Sequence, residues 1–124
     1  GSYGLNSWLW RVPASQALPA EMVGRTFDLP AAHSDAVPVL ADCISEQAMP
    51  LETDTVPSNL QTPIPMSGSG MPGPTGQMAY FCIDRHRWAV NVLFLDGHAA
   101  RVALSELWKL QWHRQFVGRE ITVP

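Results

Sequence analysis

The sequence is poor in charged residues and has a single lysine, and both scarcities exclude classes of protein. Charged residues make up 15% of the 124 positions, against about a quarter in a typical soluble domain. Apolar residues make up 46%, a share that argues against an intrinsically disordered chain. Eight basic residues against 11 acidic ones give a formal charge of −3. The chain therefore lacks the basic surface that is typical of nucleic-acid-binding proteins.

Long apolar runs are also missing. The longest, residues 36–41 and 92–95, are far shorter than the roughly 20 residues that a transmembrane helix needs. We therefore expect neither a membrane span nor a signal peptide within the given sequence. The length predicts one domain, residues 1–124, that is large enough to bury a core.

Cysteine is scarce as well. Cys43 and Cys82 lie 39 positions apart, and the absence of a C-x-x-C pattern excludes zinc-ribbon and thioredoxin-like sites. The pair permits one disulfide, as in exported proteins, or two buried thiols. The residues alone leave both alternatives open.

The N-terminal two thirds of the chain predict two strands and a long loop. Residues 1–12 are typical of a strand or an irregular segment packed on a core, and residues 36–44 of a buried strand. Pro38 places that second strand near a sheet edge or restricts it to the residues that follow. Residues 45–78 are rich in proline and glycine and predict a long loop.

Residues 79–112 predict strands at 79–84, 89–95 and 99–104, with a polar turn at 85–88. The dipeptide Asp96-Gly97 predicts a two-residue type I′ hairpin turn, which would place Leu93 opposite Ala100 and Asn91 opposite Val102. Both faces of this hairpin would then be apolar, so we expect both to be covered.

A short amphipathic helix should follow the hairpin. Ser105 is a suitable N-cap, and Leu107, Trp108 and Trp112 recur at helical spacing. The predicted fold class is α+β: a small antiparallel β-meander with a short C-terminal amphipathic helix and long Pro/Gly-rich loops.

Catalytic patterns are absent from the sequence, since it contains no G-x-S-x-G, H-E-x-x-H or G-x-x-x-x-G-K motif. We therefore predict that the protein is not an enzyme. His86 and Asp96 flank one predicted strand and would lie on the order of 25 Å apart. They cannot share a metal ion, and we expect each to stabilise its own turn.

Two binding alternatives stay open. Asp42 could bind calcium together with Glu52 or Asp54, although no cofactor is required by any motif. The tryptophans are typical of a core, but a glycan-stacking platform is the alternative, and its candidates are Trp8, Trp10 and Trp88.

His86, nine further residues and Asp96-Gly97 form an H-x9-DG motif within residues 81–114. This stretch resembles the C-terminal region of type IV pilin-like proteins, among them type II secretion pseudopilins and the related prepilins of planctomycete-type bacteria. Residues 2–10 and 37–43 also resemble that family.

The resemblance implies the globular head of a filament subunit, in which His86, Asp96 and Gly97 define the fold and have no catalytic task. Family members carry an N-terminal hydrophobic helix that a prepilin peptidase processes; here it would have been removed or would lie on a separate chain. The expected partners are other pilin or pseudopilin subunits in a homo-oligomeric filament, without nucleic acid. The expected location is extracellular or periplasmic. An oxidising location in turn favours a disulfide between Cys43 and Cys82.

Overall fold

A five-stranded sheet forms the centre of the protein in the computed structural model, which describes residues 3–9, 27, 34–57, 60–61 and 77–123. The strands follow the order β3-β1-β2-β4-β5 across the sheet. Their bounds are β1 Tyr3–Asn6, β2 Pro38–Asp42, β3 Gln47–Ala48, β4 Ala89–Phe94 and β5 Ala99–Ala103.

The sheet is mixed, so the prediction of a simple antiparallel meander is wrong. β1 pairs with β3 in parallel, with Leu5 opposite Gln47, whereas the other neighbours are antiparallel. The short strand β3 lies inside the segment that was expected to be loop throughout. It forms because the first strand offers an open edge, and the Leu5 N–H donates to the Glu46 carbonyl oxygen at 2.9 Å.

Pro38 does not mark a sheet edge. It is the first residue of β2, the central strand, and the pairing with β4 is irregular between Pro38 and Leu40. A proline is tolerated there because the first residue of a strand need not donate to the ladder. Its carbonyl oxygen accepts a hydrogen bond from Asn6 Nδ2 at 2.8 Å, which joins β2 to β1.

Residues Gln77–Tyr80 form a 3₁₀ helix where a strand was predicted from residue 79 onward. The segment is buried, from Met78 to Ile83. A short buried apolar run is compatible with either structure, and periodicity alone does not separate them.

The β4–β5 hairpin exists as predicted, but its register is shifted by one residue. Leu93 lies opposite Ala99, and Asn91 opposite Arg101. The Gly97 N–H donates to the Phe94 carbonyl oxygen at 2.9 Å, and Gly97 has a φ of 94°. Asp96 does not have positive φ, so the connection is an ordinary β-turn followed by a glycine bulge, not the type I′ turn.

This register leaves the β5 half of one hairpin face exposed, so the expectation that both faces are fully covered is wrong. Val90, Val92 and Phe94 are buried on the core side. On the other face of β5, Ala99, Arg101 and Ala103 are all exposed. A shift of one residue exchanges the two faces of a strand, because its side chains alternate with a period of two.

The C-terminal helix is a 3₁₀ helix, Leu104–Lys109, and Ser105 does not cap it: Ala103 is the N-cap residue and makes no side-chain cap bond. Leu107 and Trp108 are buried against the core. The helical segments of the described residues are all of this short type, so the protein is mostly β with few helices. None of them is long and apolar enough to cross a membrane.

Three tryptophans fill the core, and each indole N–H has a carbonyl partner. Trp8 Nε1 donates to Pro50 at 2.8 Å, Trp108 Nε1 to Asp54 at 3.1 Å, and Trp112 Nε1 to Leu107 at 2.7 Å. A buried N–H group without a partner is costly, so each indole ring is stable only in the orientation that reaches its carbonyl partner.

Candidate functional site

His86 reaches across the sheet to the end of β2. Its Nε2 lies 3.1 Å from Asp42 Oδ2, and the Asp42 side chain is 4% exposed while that of His86 is 43% exposed. The same Asp42 oxygen accepts the Asn91 main-chain N–H at 2.8 Å. Asp42 therefore continues the ladder between β2 and β4 with a side chain, and His86 covers it from solvent.

Asn91 places its side-chain nitrogen 3.2 Å from the same ring nitrogen of His86. Nε2 can either donate a proton or accept one, so it cannot donate to Asp42 and accept from Asn91 at the same time. The proton on this ring thus decides which of the two neighbours it binds.

The loop that carries His86 has an unfavourable backbone. Arg87 and Trp88 have φ values of 56° and 64°, a left-handed conformation that costs residues other than glycine roughly 1–2 kcal/mol each. Asp84 Oδ1 accepts the Trp88 N–H at 2.7 Å. Arg101 Nη2 donates to the carbonyl oxygens of His86 at 2.8 Å and Arg87 at 2.7 Å. These bonds from either side hold the loop in this conformation.

Asp96, at the far end of β4, stabilises the hairpin connection. Its Oδ1 accepts the His98 main-chain N–H at 3.1 Å and also contacts His98 Nδ1. These hydrogen bonds, the main-chain one foremost, lower the pKa of the Asp96 carboxyl. The His98 ring stacks on Phe94 with centroids 4.4 Å apart.

The H-x9-DG spacing thus has a simple geometric meaning in this chain. His86 precedes β4, and Asp96-Gly97 follow it, so the two ends of the motif secure the two ends of the same strand. Asp96 binds within its own turn, as expected, whereas His86 binds Asp42 of the neighbouring strand β2 and not a partner in its own turn. The structure does not bring His86 and Asp96 together.

The sheet face opposite the core carries a row of apolar side chains. The pairing aligns Leu5 with Leu40, Leu40 with Leu93, and Leu93 with Ala99 across four strands. Leu5 is 53% exposed, and the neighbouring Tyr3 is 57% exposed. We call the Leu5, Leu40, Leu93 and Ala99 row, together with Tyr3, the outer face.

A shallow groove of about 240 Å³ runs over this outer face. Its lining comprises Tyr3, Leu40, Asn91, Val92, Leu93 and Ala99. That volume is below the roughly 300–1,000 Å³ of small-molecule pockets. The groove is thus suited to side chains of another surface better than to an enclosed ligand.

The proposed calcium ligands do not converge. Asp42 contacts His86, whereas Glu52 Oε2 lies 2.7 Å from His113 Nε2. Asp54 is buried and accepts the Leu51 and Met78 N–H groups at 2.8 and 2.9 Å, and burial raises the pKa of its carboxyl. Within the part of the chain that the structure describes, no three His, Cys, Asp or Glu side chains are grouped to hold a metal ion.

Of the three tryptophans that could form a glycan-stacking platform, Trp8 is excluded by its burial. Trp8 is buried at 2% exposure, whereas Trp88 is 52% exposed. Trp10 lies outside the described residues.

The disulfide that the resemblance implied is not formed. Cys43 and Cys82 are separate buried thiols. Burial raises the pKa of the Cys43 thiol to about 11 and that of Cys82 to about 12. Gly4 lies directly over Cys43, since a Cβ there would be 2.7 Å from the Cys43 sulfur.

Comparisons with protein-family models, curated proteins and solved structures give no match to this chain.

Sequence reasoning missed Arg101. It is the sole charged residue in β5, and the shifted register brings it opposite Asn91 and within reach of the His86 loop. A single arginine within an otherwise apolar strand was the available signal. That signal did not identify the His86 loop as the partner of Arg101, because the partner depends on the pairing between β4 and β5.

Proposed function

We propose that this chain is the head of a pilin-like subunit and acts by assembly with other subunits, without catalysis. The outer face is the observation that carries the proposal. Four aligned apolar residues and Tyr3 stand on a sheet face that the described residues leave open. Exposed apolar patches rimmed by polar residues are typical of protein–protein contact sites.

The H-x9-DG residues support the same proposal. The side chains of His86 and Asp96 are engaged in hydrogen bonds that hold strand β4 and its connections. They act as structural residues that keep the outer face in shape. This agrees with the role that the resemblance to type IV pilin-like proteins implies for them.

A filament-incorporation experiment tests the proposal. The chain is joined behind the hydrophobic helix of a host pilin and produced in a bacterium with an active pilus assembly system. We expect the fusion in the sheared filament fraction. Leu5→Glu, which places a charge on the outer face, should reduce incorporation several-fold.

Val117→Glu is the matched control, because Val117 is 69% exposed but lies in the C-terminal segment, outside the sheet. It should leave incorporation unchanged. A fusion that stays in the membrane while the host pilin assembles would contradict the role, and equal incorporation of both variants would contradict the use of the outer face.

A further inference from the structure

Strand β5 ends the sheet in the described residues and pairs only with β4. The Phe94 N–H donates to His98, and the Leu104 N–H donates to Trp88, both at 2.9 Å. In an antiparallel pair the residues alternate between facing the partner strand and facing away. Ala99, Arg101 and Ala103 therefore direct their N–H groups away from β4, toward the open edge.

The open edge is accessible. All three residues are exposed, and none of these N–H groups has a hydrogen-bond partner in the described part of the chain. Unpaired edge groups of this kind are a template for an added strand. Alongside them, Ala100 and Val102 are half-buried and leave apolar surface at the rim of the core.

The same end of the sheet carries three exposed arginines, although the chain as a whole carries −3, while the nearby carboxylate of Asp42 is buried against His86. Arg85 and Arg87 are exposed in the loop before β4, and Arg101 binds that loop through neutral carbonyl oxygens. The ion pairs of the described residues involve other groups, so no carboxylate there neutralises these three arginines. Asp84 is the one acidic residue of the loop, and it accepts the Trp88 N–H.

This charge argues against a second copy of β5 as the added strand. Antiparallel self-pairing centred on Arg101 would place two arginines directly opposite each other, and like charges at such positions are destabilising. A strand with a carboxylate opposite Arg101 would be stabilised by the same geometry.

We propose that the β5 edge binds an extended acidic segment of another protein as a sixth strand. A Glu or Asp of that segment lies opposite Arg101 on the exposed side. Apolar residues on either side of it pack beside Ala100 and Val102. The proposal does not rest on the assembly role, because it uses the edge of the sheet and not its outer face.

Two acetylated and amidated peptides test it: Thr-Val-Glu-Val-Thr and Thr-Val-Lys-Val-Thr. Each is titrated into the ¹⁵N-labelled protein up to about 5 mM. We expect the Glu peptide to shift the amide signals of Ala99, Arg101 and Ala103 more than those of Ala100 and Val102. The Lys peptide should bind about ten-fold more weakly, which corresponds to about 1.4 kcal/mol. No shifts, or equal shifts with both peptides, would overturn the proposal.

Two variants separate the main-chain contribution from the charge. Ala103→Pro removes one outward N–H, and proline fits there because Ala103 has φ −62°; this variant should bind the Glu peptide several-fold more weakly while keeping its other amide signals. Arg101→Gln should bind both peptides alike. Dimerisation of the protein through β5, abolished by Ala103→Pro, would show that a second copy occupies the edge and would overturn the acidic occupant.

Discussion

Arg101 and His86 are joined by two hydrogen bonds, in which Nε and Nη2 of the guanidinium donate to the His86 carbonyl oxygen at 3.2 and 2.8 Å. The bonds cross from the edge strand β5 to the loop before β4. They place His86 where its ring meets Asp42, at the end of β2. One arginine thereby joins the edge of the sheet to its centre.

Loss of the Arg101 side chain should destabilise the loop that carries His86 and, with it, the folded protein. We expect Arg101→Ala to lower the free energy of unfolding by about 1.5–2 kcal/mol, the lower part of the range for hydrogen bonds that involve charged groups, because Arg101 is exposed. Urea denaturation followed by circular dichroism measures it. Arg85→Ala is the control: Arg85 is exposed, and surface changes of this kind stay within about 0.5 kcal/mol. Equal effects of the two substitutions would contradict the role given to Arg101.

The strained loop offers a substitution that should stabilise the protein. Arg87 has φ 56°, so Arg87→Gly removes a steric cost of roughly 1–2 kcal/mol and adds an entropic cost of roughly 0.5–1 kcal/mol. We expect a net gain of about 0.5 kcal/mol. Arg85→Gly, two positions earlier and without positive φ, should destabilise instead. Thermal unfolding of both variants decides the sign, and a melting temperature that falls in both would show that the loop is unstrained.

A separate prediction concerns Gly97, in the turn between β4 and β5. Gly97 has φ 94°, and a Cβ there would meet nothing within 4 Å. The cost of Gly97→Ala is thus purely conformational and should be about 1 kcal/mol. Gly97→Asn should cost less, because asparagine tolerates left-handed conformations better. Chemical denaturation of the pair checks the order, and a smaller loss for alanine than for asparagine would contradict the observed turn.

The two cysteines should react as slow, buried thiols. Their raised pKa values, about 11 and about 12, leave almost no thiolate at pH 8. We expect Ellman's reagent to detect no thiol in the folded protein at that pH and both Cys43 and Cys82 in urea without reductant. Detection of neither in urea would instead reveal the disulfide that an oxidising location favours.

The hairpin illustrates what sequence reasoning could and could not predict. Alternating apolar residues and Asp96-Gly97 correctly predicted two strands joined as a hairpin, but not the type of turn between them. The register was wrong because the same dipeptide fits a type I′ turn or a turn followed by a glycine bulge, and these differ by one residue. That residue decides which face of β5 is exposed, so the outer face and the part played by Arg101 could not be predicted.

The sequence by itself determined the local features: a strand within residues 36–44, a polar turn before β4, a core that contains tryptophan, and His86 and Asp96 at opposite ends of one strand. These depend on alternation and turn chemistry within about ten residues. Only the tertiary structure decided the insertion of β1 between β2 and β3, the 3₁₀ form of the last helix, and the contact between His86 and Asp42. Such choices depend on hydrogen-bond groups and surfaces that distant segments supply, and no local pattern records which segment will supply them.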